Sequence, residues 1–169
     1  MPVEVKGLAN LKRNLNKYTP DLYKEMNKEI KAVMIPVRNK ARGFVPSTAL
    51  SGWVHGTGRW ETKKYDPTII KKSIYYSQGK TKSMRNGWRS AYYVANGSAA
   101  GAIYEVAKVA HSPQGQHFID SMGDRTGAGK KNGRLIYRAW AQDNSHVIPA
   151  VIKAINTTTI RFNNASKGI

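Results

Sequence analysis

Hydrophobic residues recur along the first quarter of the chain at helical spacing. Leu8, Leu11 and Leu15 fall at i, i+3 and i+7, with Asn10, Lys12, Arg13, Asn14, Asn16 and Lys17 on the other faces. Thr19-Pro20-Asp21 then restarts the chain. Thr19 suits an N-cap, Pro20 the first helical position, and Asp21 the positive end of the helix dipole. Leu22, Met26, Ile30, Val33, Val37, Ala41 and Phe44 follow at spacings of three and four, predicting a helix from Pro20 to Gly43. Pro36 lies inside this stripe and predicts a kink about one turn before it. Gly43 and Pro46 supply the stop.

The pattern vanishes over residues 44–67, where Gly52, Gly56, Gly58, Trp53 and Trp60 are scattered among polar positions. A connection of that length predicts an extended loop, functional or mobile. Residues 68–77 (TIIKKSIYYS) are rich in β-branched and aromatic side chains and predict a strand. Gly79–Gly87 is a basic turn ending in Asn-Gly, and residues 88–96 (WRSAYYVAN) predict the returning strand. Residues 102–109 fit a third strand or a short helix, so residues 68–109 predict an antiparallel meander. A second polar, Gly-rich loop is expected over 110–133. A C-terminal helical segment is expected over 134–163, carried by Leu135, Ala139, Val147, Val151, Ile155, Thr158 and Phe162. Either Asn144-Ser145 caps a separate helix there, or Pro149 bends a continuous one.

These elements predict a single α+β domain, 1–169. An antiparallel sheet of three to four strands would pack against a long kinked N-terminal helix and a C-terminal helix, with two long loops. The expected core sets the stripes 22–44 and 147–162 against Ile70, Ile74, Trp88, Tyr92 and Val94. At 169 residues and 18.8 kDa such a chain needs no covalent staple. Cysteine is absent, which excludes disulfides, thiolate catalysis and Cys-ligated metals. The longest apolar run, Val147–Ile152, contains Pro149 and falls far short of the roughly 20 residues of a spanning helix. Residues 1–11 lack the apolar stretch of a secretion signal, so the expected product makes no membrane contact and is assembled in a cytoplasm.

Charge changes the picture most. Lys+Arg number 28 against 10 Asp+Glu, a formal net charge of +18. That imbalance points to a polyanionic neighbour, nucleic acid or an acidic protein surface. Residues 1–90 hold 19 basic and 6 acidic residues, and residues 91–169 hold 9 and 4. On the expected hairpin, Lys71, Lys72, Lys80, Lys82, Arg85 and Arg89 would form a broad basic surface facing a channel or a partner. Catalytic chemistry finds no pattern. His55, His111, His117 and His146 show no metal-ligand spacing, the acids are scattered singly, and no Gly-x-Ser-x-Gly elbow exists. Gly127-Ala128-Gly129-Lys130-Lys131 lacks the Ser/Thr that follows the lysine of a phosphate loop. No enzyme activity, cofactor or metal is expected. Tyr75, Tyr76, Trp88, Tyr92 and Tyr93 among the basic residues would suit nucleic-acid stacking or ordinary cross-strand packing.

Four short segments in order carry a family resemblance. They are Val5-Lys6-Gly7-Leu8-Ala9-Asn10-Leu11, Ala41-Arg42-Gly43-Phe44-Val45-Pro46, Tyr104-Glu105-Val106 and Gly133-Arg134-Leu135-Ile136-Tyr137-Arg138-Ala139. Together they resemble the tail-completion (neck) proteins of long-tailed, siphovirus-type bacteriophages. The family reads Glu-Phe-Gly-Thr where this chain has Glu105-Val106-Ala107-Lys108. The resemblance implies a structural virion protein of the head-to-tail interface, a homo-oligomeric ring with six-fold symmetry. Such a ring would join the capsid connector to the tail tube, beside head-closure and tail terminator or tube proteins, with double-stranded DNA passing close by. The tail terminator of the same neck is the near alternative. A non-viral nucleic-acid-binding protein is the alternative from another class.

Overall fold

A computed structural model of the chain describes residues 7–48, 53, 65–79, 82–84, 87–89, 92–128 and 131–167. Among these residues the elements run α1 (Leu8–Tyr18), α2 (Pro20–Gly43), α3 (Pro67–Ser73), β1 (Ile74–Gln78), β2 (Lys82–Met84), β3 (Gly87–Arg89), β4 (Tyr92–Asn96), α4 (Ala99–Val106), α5 (Pro113–Asp120), β5 (Thr126–Ala128), β6 (Lys131–Gly133) and α6 (Ile136–Lys167). The strands form two-stranded pairs only: β1 with β4, β2 with β3, and β5 with β6. The expected α+β architecture, with its antiparallel sheet of three to four strands, is therefore corrected to a mostly helical fold carrying short ribbons.

Helix caps explain the difference. The run 68–77 was expected as one strand, but α3 occupies 67–73 and only 74–78 is extended. The Asp66 carboxylate accepts from the backbone N–H of Thr68 (2.8 Å) and Ile69 (3.1 Å), and Pro67 fills the first turn. That start signal outweighs the β preference of Thr68, Ile69 and Ile70. Ile70 and Ile74 are both buried, and their spacing of four satisfies a helix as well as a strand. Of the ambiguous segment 102–109, residues 102–106 belong to α4, whose N-cap Ser98 accepts from Gly101 N–H at 3.0 Å ahead of an alanine-rich turn. The expected loop over 110–133 instead holds α5, capped by Ser112 with Pro113 at its first turn, and the β5–β6 ribbon. Thr126 faces Gly133 across that ribbon, and Ala128 faces Lys131. Of the loop expected over 44–67, residues 49–52 and 54–64 lie outside the described residues.

The chain divides into two compact units, Met1–Pro36 with Tyr76–Tyr93 and Asn144–Ile169, and Val37–Tyr75 with Val94–Asp143. The first buries Leu15, Met26, Ile30, Met34, Val147, Ala154 and Ile155. Its α1 opens at Gly7, where φ of 80° is a conformation that suits glycine and few other residues. Thr19 does not cap α2 as its sequence suggests; its hydroxyl is buried without a partner. The lower half of α6 accommodates the threonine run Thr157–Thr159 through hydroxyls that bond back to carbonyls one turn earlier. Thr158 donates to Ala154 O and Thr159 to Ile155 O, each at 2.8 Å. Of the two alternatives at Pro149, the continuous helix is the one observed.

The second unit buries Val37, Ala41, Val45, Trp53, Tyr65, Ile70, Ile74, Tyr104, Ile119, Met122, Leu135 and Ala139. An aromatic cluster lies within it. Trp53 meets Tyr65 at 5.3 Å and Phe118 at 5.2 Å between ring centroids, and Tyr65 meets Tyr104 at 6.4 Å. The Tyr65 hydroxyl donates to Pro46 O at 2.6 Å, and burial pushes that phenol up to about 12.

Candidate functional site

A polar cluster of the second unit is built where α4 ends and α6 begins. A helix start exposes unpaired N–H groups and favours negative charge; a helix end exposes carbonyls and favours positive charge. The first turn of α6 contains no acidic residue, and the last turn of α4 contains no basic one. Each helix takes the missing group from the other. The buried Glu105 carboxylate accepts from the N–H groups of Leu135 (2.6 Å) and Ile136 (3.1 Å) through Oε2, and of Tyr137 (2.8 Å) through Oε1. In return Arg134 donates through Nη1 to Tyr104 O and Ala107 O, both at 3.0 Å, at the end of α4. Its Nε reaches Gly123 O at 2.6 Å. The two caps are crossed, and Arg134 N–H closes the crossing on Glu105 O at 3.3 Å.

The residues around this crossing are fixed by it. A Cβ on Gly133 would overlap the Glu105 carboxylate and sit 2.8 Å from Cδ2 of Tyr137, so no side chain fits there. Leu135 is fully buried. Burial raises the Glu105 pKa above the ordinary carboxylate value, and the three N–H donors and Arg134 oppose that rise without cancelling it. Burial also lowers Arg134, with Arg125 acting the same way and Tyr104, Glu105 and Asp124 opposing. Arg138, one turn into α6, places its guanidinium 4.3 Å from the Phe44 ring centroid. Arg42, at the end of α2, donates twice to Ile74 O, at 2.6 Å and 3.0 Å.

Three of the four segments singled out in the sequence therefore meet in one unit: Ala41–Pro46, Tyr104–Val106 and Gly133–Ala139. Sequence reasoning named Glu105 and Arg134 as motif letters but missed that they bond across one another. The signal that could have found them is the absence of an acid in the first turn of a long helix. Chemically the crossing is architecture. The carboxylate oxygens hold main-chain donors and the guanidinium holds main-chain acceptors.

The first unit has a smaller polar cluster. The Lys12 ammonium stands 4.7 Å from the Tyr92 ring centroid and 5.9 Å from that of Tyr23, and donates to Gly79 O at 2.8 Å. Burial lowers its pKa. The Tyr92 hydroxyl donates to the buried Asn27 Oδ1 at 2.6 Å, and burial raises that phenol well above its ordinary value.

The basic residues expected on one hairpin are distributed differently. Lys71 and Lys72 stand on α3, in the second unit, half-buried and exposed respectively. Lys82 and Arg89 stand on β2 and β3, in the first unit, as a register pair. Lys80 and Arg85 lie outside the described residues. Among the described residues no group of three or more His, Asp or Glu side chains could hold a metal ion. No helix of the described residues is long and apolar enough to cross a membrane.

No protein-family model, no curated protein and no solved structure matches the chain.

Proposed function

We propose that the chain is a structural subunit of a bacteriophage head-to-tail interface, a tail-completion protein that works as a ring. The observation that supports this reading is the convergence of Ala41–Pro46, Tyr104–Val106 and Gly133–Ala139 on one polar and aromatic cluster. Segments that resemble one family and are scattered through the sequence become each other's packing partners. Their polar groups bond main chain, so they set the angle between helices and leave shape as the working property. A ring subunit needs that property, because its lateral surfaces must repeat identically around a closed symmetry axis.

Two measurements test the reading. Native mass spectrometry of the purified chain, alone and with the head-closure and tube proteins of its phage, should give a closed oligomer of one stoichiometry. Cryo-electron microscopy of the particle should find that oligomer between capsid and tail. A chain that remains monomeric under all these conditions and is missing from purified particles refutes the proposal. Density at the tail side of the neck alone would reassign the chain as a tail terminator.

A further inference from the structure

We infer that Asn96 is a self-modification site, where the Gly97 main-chain nitrogen displaces the side-chain amide as ammonia and an acid is left at position 96. The site lies in the second unit, where β4 ends and α4 begins. Such an attack is least hindered at Asn-Gly, because glycine puts no side chain beside the nitrogen. The chain has three such pairs, Asn86-Gly87, Asn96-Gly97 and Asn132-Gly133. At Asn96 the fold treats the two ends of the carboxamide unequally. Its Oδ1 accepts from Ser98 N–H (2.9 Å), from the Ser98 hydroxyl (2.9 Å) and from the Ser73 hydroxyl (2.8 Å), which is shared with Ile70 O. Its Nδ2 is buried and has no partner. Turning the amide over would set its NH2 against Ser98 N–H, so the placement of the two atoms is fixed.

This arrangement favours each stage of the exchange. The Gly97 nitrogen adds to Cγ and gives up its proton. Negative charge then develops on Oδ1, and donors already aimed at that oxygen stabilise it. The Cγ–Nδ2 bond breaks, and ammonia carries the proton away. Nδ2 has no hydrogen bond to lose on leaving. Water opens the resulting cyclic imide to aspartate or isoaspartate, and Gly97 is exposed to that water. Gly97 N–H bonds to Ser73 O at 3.0 Å. That bond lies in the peptide plane and does not cover the faces of the nitrogen, through which it attacks. The product suits the site as well. A Cβ on Gly101 would overlap Nδ2, so this atom sits against the first turn of α4, which contains no acid. A carboxylate there exchanges an unpartnered donor for an acceptor beside a helix start. The inference does not rest on the neck assignment, because the reaction is complete within one chain.

The test incubates the full folded chain at mildly alkaline pH in heavy-oxygen water and follows each Asn-Gly pair by peptide mass mapping, with a sample in urea as reference. Conversion at Asn96 should run faster in the folded chain than in urea. Asn132, whose Gly133 is buried against Glu105, should instead slow on folding. Ser73→Ala should slow the folded-state rate at Asn96 about tenfold, less than the loss of a dedicated oxyanion donor because the hydroxyl is shared. Gly97→Ala places its Cβ at ordinary contacts of 3.8 Å, so it should fold as wild type by circular dichroism and also slow Asn96; it serves where Ser73→Ala fails to fold. A folded-state rate at Asn96 equal to or below the urea rate overturns the inference. An unchanged rate in either folded variant overturns it too.

Discussion

Truncating Glu105 to alanine tests the crossed caps most directly. The substitution removes three charge-assisted hydrogen bonds and leaves the N–H groups of Leu135, Ile136 and Tyr137 without acceptors. Leu135 is fully buried, so water cannot replace the carboxylate there. A hydrogen bond to a charged group contributes about 1.5–3 kcal/mol, and such bonds made by one group do not add. Breaking a buried charged constellation by deleting one partner costs about 3–5 kcal/mol. Against a typical total of about 5–15 kcal/mol, Glu105→Ala should leave the fold marginal. Glu105→Gln keeps the shape and one acceptor oxygen but turns an amide NH2 toward an N–H donor, and should cost less, about 2 kcal/mol. Urea unfolding followed by circular dichroism measures both, and hydrogen exchange at residues 135–137 localises the effect. A loss under about 1 kcal/mol for Glu105→Ala, with unchanged exchange at those amides, refutes the reasoning. The pH dependence has a definite sign. The folded-state pKa of Glu105 is raised, because burial outweighs the donors, so folding binds its proton more tightly than the unfolded chain does. This group's contribution is full below the ordinary carboxylate pKa and declines as pH rises through the folded value. Wild type should lose stability relative to Glu105→Gln across that window. Truncation costs much although ionisation in place is unfavourable, because truncation orphans donors and ionisation does not.

Two further outcomes follow from single groups. Thr19 has the position of an N-cap, yet its hydroxyl is buried without a partner. Thr19→Val should leave stability unchanged or raise it by up to about 1 kcal/mol in thermal or urea unfolding, whereas a true cap would lose about 1 kcal/mol. Burial pushes Tyr65 and Tyr76 up to about 12. Their contribution is full below the ordinary phenol value and is lost as pH rises through 12, so native absorbance at alkaline pH should show late-titrating phenols; nine tyrosines all titrating together near their ordinary value would contradict this.

What the sequence disclosed depended on whether a segment's periodicity and its caps agreed. In α2 they agree, and Met26, Ile30, Val37 and Ala41 are buried as their spacing predicts. In α6, Val147, Ile155 and Thr158 are buried in a helix that Pro149 does not end. At 68–77 they conflict: β-branched composition argues for a strand, while Asp66-Pro67 argues for a helix start. One cap with two accepted N–H bonds decided it. Ser98 and Ser112-Pro113 make the same decision for α4 and α5. The candidate site was legible only in halves. Glu105 and Leu135 are 30 residues apart, and nothing local in either segment announces the other.

The crossed caps and the net charge divide the chain's polar chemistry between two tasks. Burial of apolar area is non-directional and brings helices together without fixing their angle. Hydrogen bonds at helix ends are directional, and Glu105 and Arg134 each hold main-chain groups of the opposite helix's terminus. That pair makes α4 and α6 mutually dependent, which suits a part whose surfaces must repeat from copy to copy. The net charge of +18 does the opposite work: it repels itself in the isolated chain and opposes compactness. A polyanion bound in the proposed assembly would relieve that repulsion, because whatever binds the folded chain better than the unfolded one raises its stability by mass action. In the proposed assembly, self-repulsion of the free subunit and its relief beside a polyanion would be one electrostatic term whose sign favours assembly.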